Sequence, residues 1–424
     1  MFVFLQIVVY VIPNLQMKKI TFLLILLVSI VNSRAQVFNF SDSTLISLLT
    51  CSPGQEAYAK FGHTGIRLSD PISKVDVVFN YGLFSFETNN FYLKFIKGET
   101  DYLLGVNQTP LFLAEYEQRN STVWEQDLDL SIIEKRTLIN LLLENLKPEN
   151  RKYRYNFVFD NCATRPRDKI LDSVNGFISF KVDNNAKTYR EWVGEFVGED
   201  TWLKFGIDLV FGRDADKTTP QFESMFLPIV LMSEFQNTKV LRNKDLPPTP
   251  LVKNYRILID PDVTKEDNQI WYLNPLFILG LISLLGILSL LIEYRVAHYK
   301  PVIDSLTLII TGAAGWLITY LMFFSVHPLV HHNFNLLWLN PINLIVGLLI
   351  WVKPLRKAIY YYSFFNLGLL LLALLVLVLS VQEMNTATYP IIALLIIRNA
   401  RWSVRTKHKY DRKRKYSKKN GYSK

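Results

Sequence analysis

Apolar and polar positions divide the chain into three stretches with different rules. Residues 36–274 mix short alternating runs with amphipathic ones, whereas Pro275–Trp402 is nearly continuously apolar. The last stretch, from Arg405 to Lys424, is polar and basic. In the first, Leu45–Thr50 is an apolar element stopped by Ser52-Pro53-Gly54. His63–Leu68 and Val75–Tyr81 read as strands joined by Ser69-Asp70-Pro71, and Thr122–Leu128 reads as another. Ser131-Ile132-Ile133-Glu134 has the form of a capping box, followed by Ile133, Leu138, Leu141, Leu142 and Leu146 on one helical face, with Pro148 as the stop. Tyr153, Tyr155, Phe157 and Phe159 alternate with Arg154, Asn156 and Val158, a strand pattern running into Asp160-Asn161-Cys162. Helices are expected over Tyr189–Phe196 and Phe226–Phe235, and 251–272, after the proline-rich Leu246–Pro250, reads as a linker. This mixture predicts an α+β domain over 36–250.

The apolar stretch predicts a membrane domain over 273–402, with spans near Leu273–Ile292, Val302–Phe324, Leu336–Val352, Tyr360–Val381 and a short fifth around Thr388–Trp402. Arg295 and Lys300 fall between spans one and two, and Lys353, Arg356 and Lys357 between three and four. Ser325–Asn335 and Glu383–Ala387 contain no Lys or Arg. Five spans, an outside amino-terminal domain and a cytoplasmic tail over 403–424 satisfy the positive-inside rule. Met17-Lys18-Lys19, the apolar Ile20–Ile30 and Ser33-Arg34-Ala35 predict a signal peptide over 1–35, with 1–16 an extension from an upstream start; a retained anchor helix is the alternative. The outcome is a multi-pass protein of the bacterial inner membrane, with its first domain in the periplasm.

Charge sharpens this picture. The net charge is +10, yet residues 36–274 hold 27 Lys and Arg against 33 Asp and Glu, a balance of −6. The basic excess sits in Arg398-Asn399-Ala400-Arg401 and the tail, where anionic lipid or topology explains it. No nucleic-acid partner is expected, because no stacking aromatics or binding module accompany the basic run.

The chemistry concentrates in few residues. The two cysteines are Cys51 and Cys162, and in an oxidising compartment they could pair. Asp160 and Asn161 are good N-cap residues, placing Cys162 at the first turn of a helix, where free N–H groups, the helix dipole and nearby Arg165 and Arg167 would stabilise a thiolate. His63 is the one histidine of 36–274, flanked by Gly62 and Gly65. A thiol and an imidazole supply nucleophile and base. A metal reading of His327, His331 and His332 suffers from poor spacing and no acidic partner in the loop; that loop could instead screen the site or hold lipid head groups. Asp208, Asp214, Asp216 and Glu223 are expected to cap helices and face solvent.

In the order of these parts, strand-His, a polar residue on the next strand, then Asn-Cys opening a helix, the chain resembles the circularly permuted papain-like (NlpC/P60 and lecithin:retinol acyltransferase) thiol enzymes. More closely, Leu48–Gly54, Phe61–Leu68, Phe79-Asn80-Tyr81-Gly82 and Tyr153–Asp168 resemble the Lnb-type lipoprotein N-acyltransferases of Bacteroidota. That resemblance implies a permuted papain-like fold fused to about five transmembrane helices. It implies no cofactor and no metal, a phospholipid acyl donor and an S-diacylglyceryl lipoprotein as acceptor. Cys162 would be the nucleophile and His63 the base, with Asn80 orienting the imidazole, although Asp76 or Tyr81 could serve instead. Asn161 and the Cys162 N–H would hold the oxyanion, with Asp160, Arg165, Arg67 and Tyr81 as supporting residues. The alternatives are a periplasmic thiol peptidase or amidase acting on cell-wall peptides, and a non-catalytic membrane scaffold.

Overall fold

The computed structural model describes residues 40–84, 87, 89–182, 186–261, 270–295 and 301–402. The expected signal segment over 1–35, the tail over 403–424 and the middle of the expected linker lie outside the described residues. The described residues fall into two compact units, one made of 40–44 with 69–75 and one of the rest. In the first, the Asp70 carboxylate accepts from Thr44 Oγ1 at 3.0 Å and from the Ile72 N–H at 2.8 Å.

The second unit contains a seven-stranded sheet. β1 (Leu45–Cys51), β2 (His63–Asp70), β3 (Val75–Leu83), β4 (Asp101–Gln108), β5 (Val123–Leu128) and β6 (Lys152–Arg154) are joined by a late strand, β10 (Val252–Ile259), in the order β10-β5-β1-β2-β3-β4-β6. The pairs β10–β5, β5–β1, β3–β4 and β4–β6 are antiparallel. β1 is buried at every position after Leu45, as expected of a central strand covered on both faces. Helices α1 (Phe91–Lys97), α2 (Thr109–Gln118) and α3 (Ile132–Leu146) connect the strands. α3 carries the capping box read from the sequence: Ser131 Oγ accepts from the Glu134 N–H, and the Glu134 carboxylate accepts from the Ser131 N–H. α4 (Thr164–Ser173), α5 (Tyr189–Val197), α6 (Trp202–Val210) and α7 (Pro228–Asn237) follow, with β7 (Phe177–Ser179), β8 (Lys239–Leu241) and β9 (Thr249–Pro250) in a small second sheet. The domain is therefore α+β with an antiparallel sheet.

Two local expectations change. The segment read as a linker contains β10, which pairs with β5 from Val252↔Leu128 to Ile259↔Val123 and completes the sheet edge. The strand read over Tyr153–Phe159 ends at Arg154. Asn156 and Asp160 then exchange N–H···O bonds of 2.9 and 3.0 Å, and Asn156 Oδ1 accepts from the Val158 and Phe159 N–H groups. An asparagine side chain that copies a backbone turn overrides the alternation. Phe157 consequently packs against the core of Val158, Tyr189, Val193 and Phe226.

The membrane domain is all helical, with α8 (Pro275–Arg295), α9 (Val302–Phe324), α10 (Ile342–Leu349), α11 (Arg356–Val378) and α12 (388–402). Among the described residues, three helices are long and apolar enough to cross a membrane: Pro275–Glu293, Val302–Phe324 and Lys353–Val378. The expected third span is not continuous. A 3₁₀ turn at Phe334–Leu337 precedes α10, with a break between them where Pro341 lacks an N–H and Asn340 Oδ1 accepts from the Ile342 N–H. Trp338, Leu339, Asn340 and Asn343 are all buried, so this irregular backbone is surrounded by protein, the condition under which it is tolerated at membrane depth. Gly312 and Gly315 of α9 admit it: a Cβ there would lie 2.0 Å from Leu344 N and 1.8 Å from Leu339 O.

Arg398 differs from its reading as part of a lipid-facing basic run. It is buried, paired with Asp304 and Glu293, and donates to Gly286 O at 2.7 Å and Ser289 Oγ at 3.0 Å. Arg401 pairs with Glu293. A guanidinium in a bundle interior requires such partners.

The periplasmic domain is keyed into this bundle by exchanged side chains. Leu329, from the loop after α9, belongs to the core of Tyr189, Val193 and Phe226, and Leu209 of α6 packs against that of Trp338, Leu339 and Leu370. Around them Asn333 donates to Leu209 O and Val210 O, Asn335 to Asp208 O, and the Gly212 N–H to Leu329 O. Asp208, expected to face solvent, is 2 % exposed. Its carboxylate accepts from Arg190 at 2.9 Å, Lys204 at 2.8 Å and Asn385 at 2.9 Å. Asp216 pairs with Arg190, Asp214 with His332 and Lys217, and Glu223 accepts from Tyr189. Asp208, Asp214 and Asp216 build the junction instead of capping helices, and Glu223 is tied within the periplasmic domain.

Candidate active site

The site is assembled by a bulge in β3 and the turn before α4. Asn80 lies on β3, and between Tyr81 and Leu83 the register against β4 shifts. Gly82 sits in that shift at φ +95°, a left-handed conformation that favours glycine. A Cβ there would lie 3.4 Å from Cys162 Cβ, 3.8 Å from His63 Cε1 and 3.9 Å from the Tyr153 hydroxyl. Thiol, imidazole and phenol therefore border one point. Cys162 and His63, ninety-nine positions apart in sequence, are separated there by no more than the sum of the first two distances. The backbone N–H groups of Thr64, the residue after His63, and of Cys162 itself lie near the Cys162 sulfur and pull its pKa down.

His63 Nε2 is 2.7 Å from Asn80 Oδ1. Asn80 Nδ2 donates to Asn107 Oδ1 at 3.2 Å, which leaves Oδ1 as the acceptor and puts the ring proton on Nε2. Nδ1 is then the basic nitrogen. The other two residues considered for this role are engaged elsewhere. Asp76 accepts from Arg67 and Thr109, and Tyr81 donates to Asn145 at 2.8 Å. His63 is half-buried, and burial lowers its pKa below the ordinary imidazole value against the opposing pull of the Asn80 hydrogen bond.

Cys162 lies two residues before helix α4, not in its first turn, and Ala163 occupies the N-cap position. Asn161 Oδ1 accepts from the N–H groups of Ala163 and Thr164, so the helix start is satisfied by this side chain and not by the sulfur. Burial raises the Cys162 pKa to about 11, outweighing the two N–H groups. The resting thiol is protonated, which corrects the expectation of a stabilised thiolate. Asn161 is also unable to serve as an oxyanion donor, because its Nδ2 donates to Phe157 O and Phe226 O.

The remaining expected residues fall into two places. Asp160 and Arg165 form an ion pair beside the site, and the Arg165 guanidinium lies 3.7 Å from the centre of the Tyr153 ring. Tyr81 packs edge-on against Tyr153. Arg67 instead gives its N–H groups to Asp76 and Glu125 in an ion-pair network of the sheet. Both cysteines are free; Cys51 is buried, and its sulfur accepts from Tyr116, whose ring stacks near His63. The loop histidines serve packing: His327 bonds to Phe95 O, His331 to Met322 O and His332 to Asp214. Among the described residues no cluster of three or more His, Cys, Asp or Glu side chains could hold a metal ion.

Sequence reasoning missed Tyr153. Its hydroxyl is buried without a hydrogen-bond partner and faces the same point as the thiol and imidazole. Buried polar groups are nearly always paired, so an orphan here is an open donor beside Cys162 and His63.

Residues 35–194 match the family model described as the Lnb N-terminal periplasmic domain, and residues 265–410 match the one described as the Lnb transmembrane domain. A periplasmic α+β domain joined to a bundle of apolar helices defines a multi-pass membrane protein with its amino-terminal domain in the periplasm. The chain belongs to the Lnb family. No curated protein and no solved structure matches it.

Proposed function

We propose that this protein is a membrane-anchored cysteine acyltransferase. It moves an acyl chain from a phospholipid, through a thioester on Cys162, to the terminal amine of an S-diacylglyceryl lipoprotein. The observation that carries this reading is the convergence of the Cys162, His63 and Tyr153 side chains on Gly82, with Nε2 of His63 held by Asn80. The order of histidine strand, polar strand and cysteine turn is that of a circularly permuted papain-like domain.

In the first half, His63 Nδ1 takes the thiol proton as the sulfur attacks the phospholipid ester carbonyl. The imidazolium then gives that proton to the departing lysophospholipid oxygen, leaving the thioester. In the second half, the lipoprotein amine attacks the thioester carbonyl, its proton passes to His63, and the sulfur leaves and recovers it. Tyr153 O–H and the Cys162 N–H donate to the oxygen that becomes negative in both steps. A thiol that is neutral at rest avoids burying a thiolate, and the charge appears only with its countercharge beside it.

The test is the intact mass of the full chain in phospholipid liposomes. One added acyl group, released by hydroxylamine and missing in Cys162→Ala, is the expected result. Lipoprotein termini that remain fully N-acylated with Cys162→Ala as the only copy would overturn the reading.

A further inference from the structure

A row of aromatic rings runs from the candidate site to the outer end of a membrane span. Tyr155 and Tyr102 are 4.1 Å apart between ring centres, Tyr102 and Phe84 5.0 Å, Phe84 and Phe91 5.9 Å, and Phe91 and Phe95 6.2 Å. Midway along the row, Phe84 lies two residues beyond Gly82, which borders Cys162. Tyr102 and Tyr155 are also close enough to Cys162 that charge on its sulfur raises both phenol pKa values, after the larger effect of burial.

At the outer end, helix α1 is fastened to the loop that leaves span α9. Ser325 Oγ donates to Ile96 O at 2.9 Å, the Val326 N–H to Lys97 O at 2.9 Å, and His327 Nε2 to Phe95 O at 2.8 Å. These residues directly follow Phe324, the last of α9, so α1 rests at the level where hydrocarbon gives way to water. Leu93 and Phe95 are 56 % and 48 % exposed there, next in height to the exposed Phe323 and Phe324. Lys94 and Lys97, three positions apart on the same short helix, add positive charge at the depth of lipid phosphates.

We propose that α1 and this aromatic row hold the acyl chain of the donor phospholipid between the rim of α9 and Cys162, a placement that rests on the acyltransferase reading. A chain laid along the row stays dry, with its ester carbonyl at the thiol and its methyl end toward the rim of α9. The occupant is a membrane phospholipid, because the row is continuous with the lipid-facing end of a span.

The full chain is placed in liposomes containing a phospholipid with a diazirine at the end of its acyl chain, and the photolabelled residues are mapped. Label on Phe84, Phe91 or Phe95 is the expected result. Label confined to the lipid-facing sides of α8 and α11 would overturn the route. The same mapping in Cys162→Ala, which forms no thioester, tests lipid placement even where the acyltransferase reading fails. A second measurement compares Cys162 acylation by a long-chain phospholipid with that by p-nitrophenyl butyrate. The exposed-site variant Phe95→Gln should lower the ratio of the two rates by about tenfold. An unchanged ratio refutes the proposal.

Discussion

Asn80 grips the imidazole of His63 from the side opposite its basic nitrogen, Oδ1 to Nε2 at 2.7 Å, and is itself held by Asn107. This pairing sets the tautomer, and burial then sets the working range. With the pKa of His63 below 6.5, the imidazole remains a base at pH values where a solvent-exposed histidine is already half protonated. Acylation of Cys162 is lost as pH falls through the lowered pKa, so its acid limb lies below 6.5. Asn80→Ala removes a bond that raises this pKa: the limb moves lower still, and the rate drops by about tenfold to a hundredfold through loss of orientation. Asn80→Asp moves the limb upward. The pH dependence of kcat/KM for acylation measures all three.

The thiol behaves oppositely to that of an ion-paired cysteine enzyme. With a pKa of about 11, Cys162 should alkylate slowly with iodoacetamide at neutral pH and faster toward alkaline pH. A fast, pH-independent reaction near neutrality would instead reveal a resting thiolate.

Tyr153→Phe separates stability from turnover. The hydroxyl has no partner at rest, so its removal breaks no hydrogen bond and relieves a desolvation cost, raising stability by about 1 kcal/mol. Turnover should fall by about a hundredfold if the hydroxyl donates to the oxyanion. Thermal unfolding and acylation rate, measured on one preparation, read the two effects.

Asp208→Ala removes the shared anion of Arg190 and Lys204 and leaves two buried cations. A loss of about 3–5 kcal/mol is expected. Limited proteolysis of the detergent-solubilised chain should show cleavage at the junction of α6 with the outer loops well before the bundle itself unfolds.

Local signals made the centre of the sheet legible in the sequence. β2, β3 and β5 follow from strand-like runs and turn residues, β1 shows as an apolar element with a turn stop, and α3 follows from a capping box whose four residues decide its start. His63, Asn80 and Cys162 stand out because few residues of the domain can carry thiol chemistry, and the structure puts their elements side by side. What was illegible depends on distant partners. β10 follows a proline-rich stretch and takes its identity from β5, far upstream. Tyr153 shares its alternation with Tyr155, and only the Asn156 turn separates the two rings into different roles. Asp208 has the sequence context of a surface carboxylate, and its cations come from neighbouring turns that fold over it. The thiol was misjudged for a related reason: a helix start donates to whichever acceptor is nearest, and Asn161 reaches it first.

The exchange of Leu329 and Leu209 has a consequence for biogenesis. The periplasmic domain is synthesised first, yet a piece of its interior is encoded after the second membrane span. Until that span has inserted and its trailing loop has been translocated, the socket lined by Tyr189, Val193 and Phe226 stands open. Maturation of the periplasmic half is thereby timed by assembly of the bundle, and a copy released without its anchor would be left with an unfinished interior.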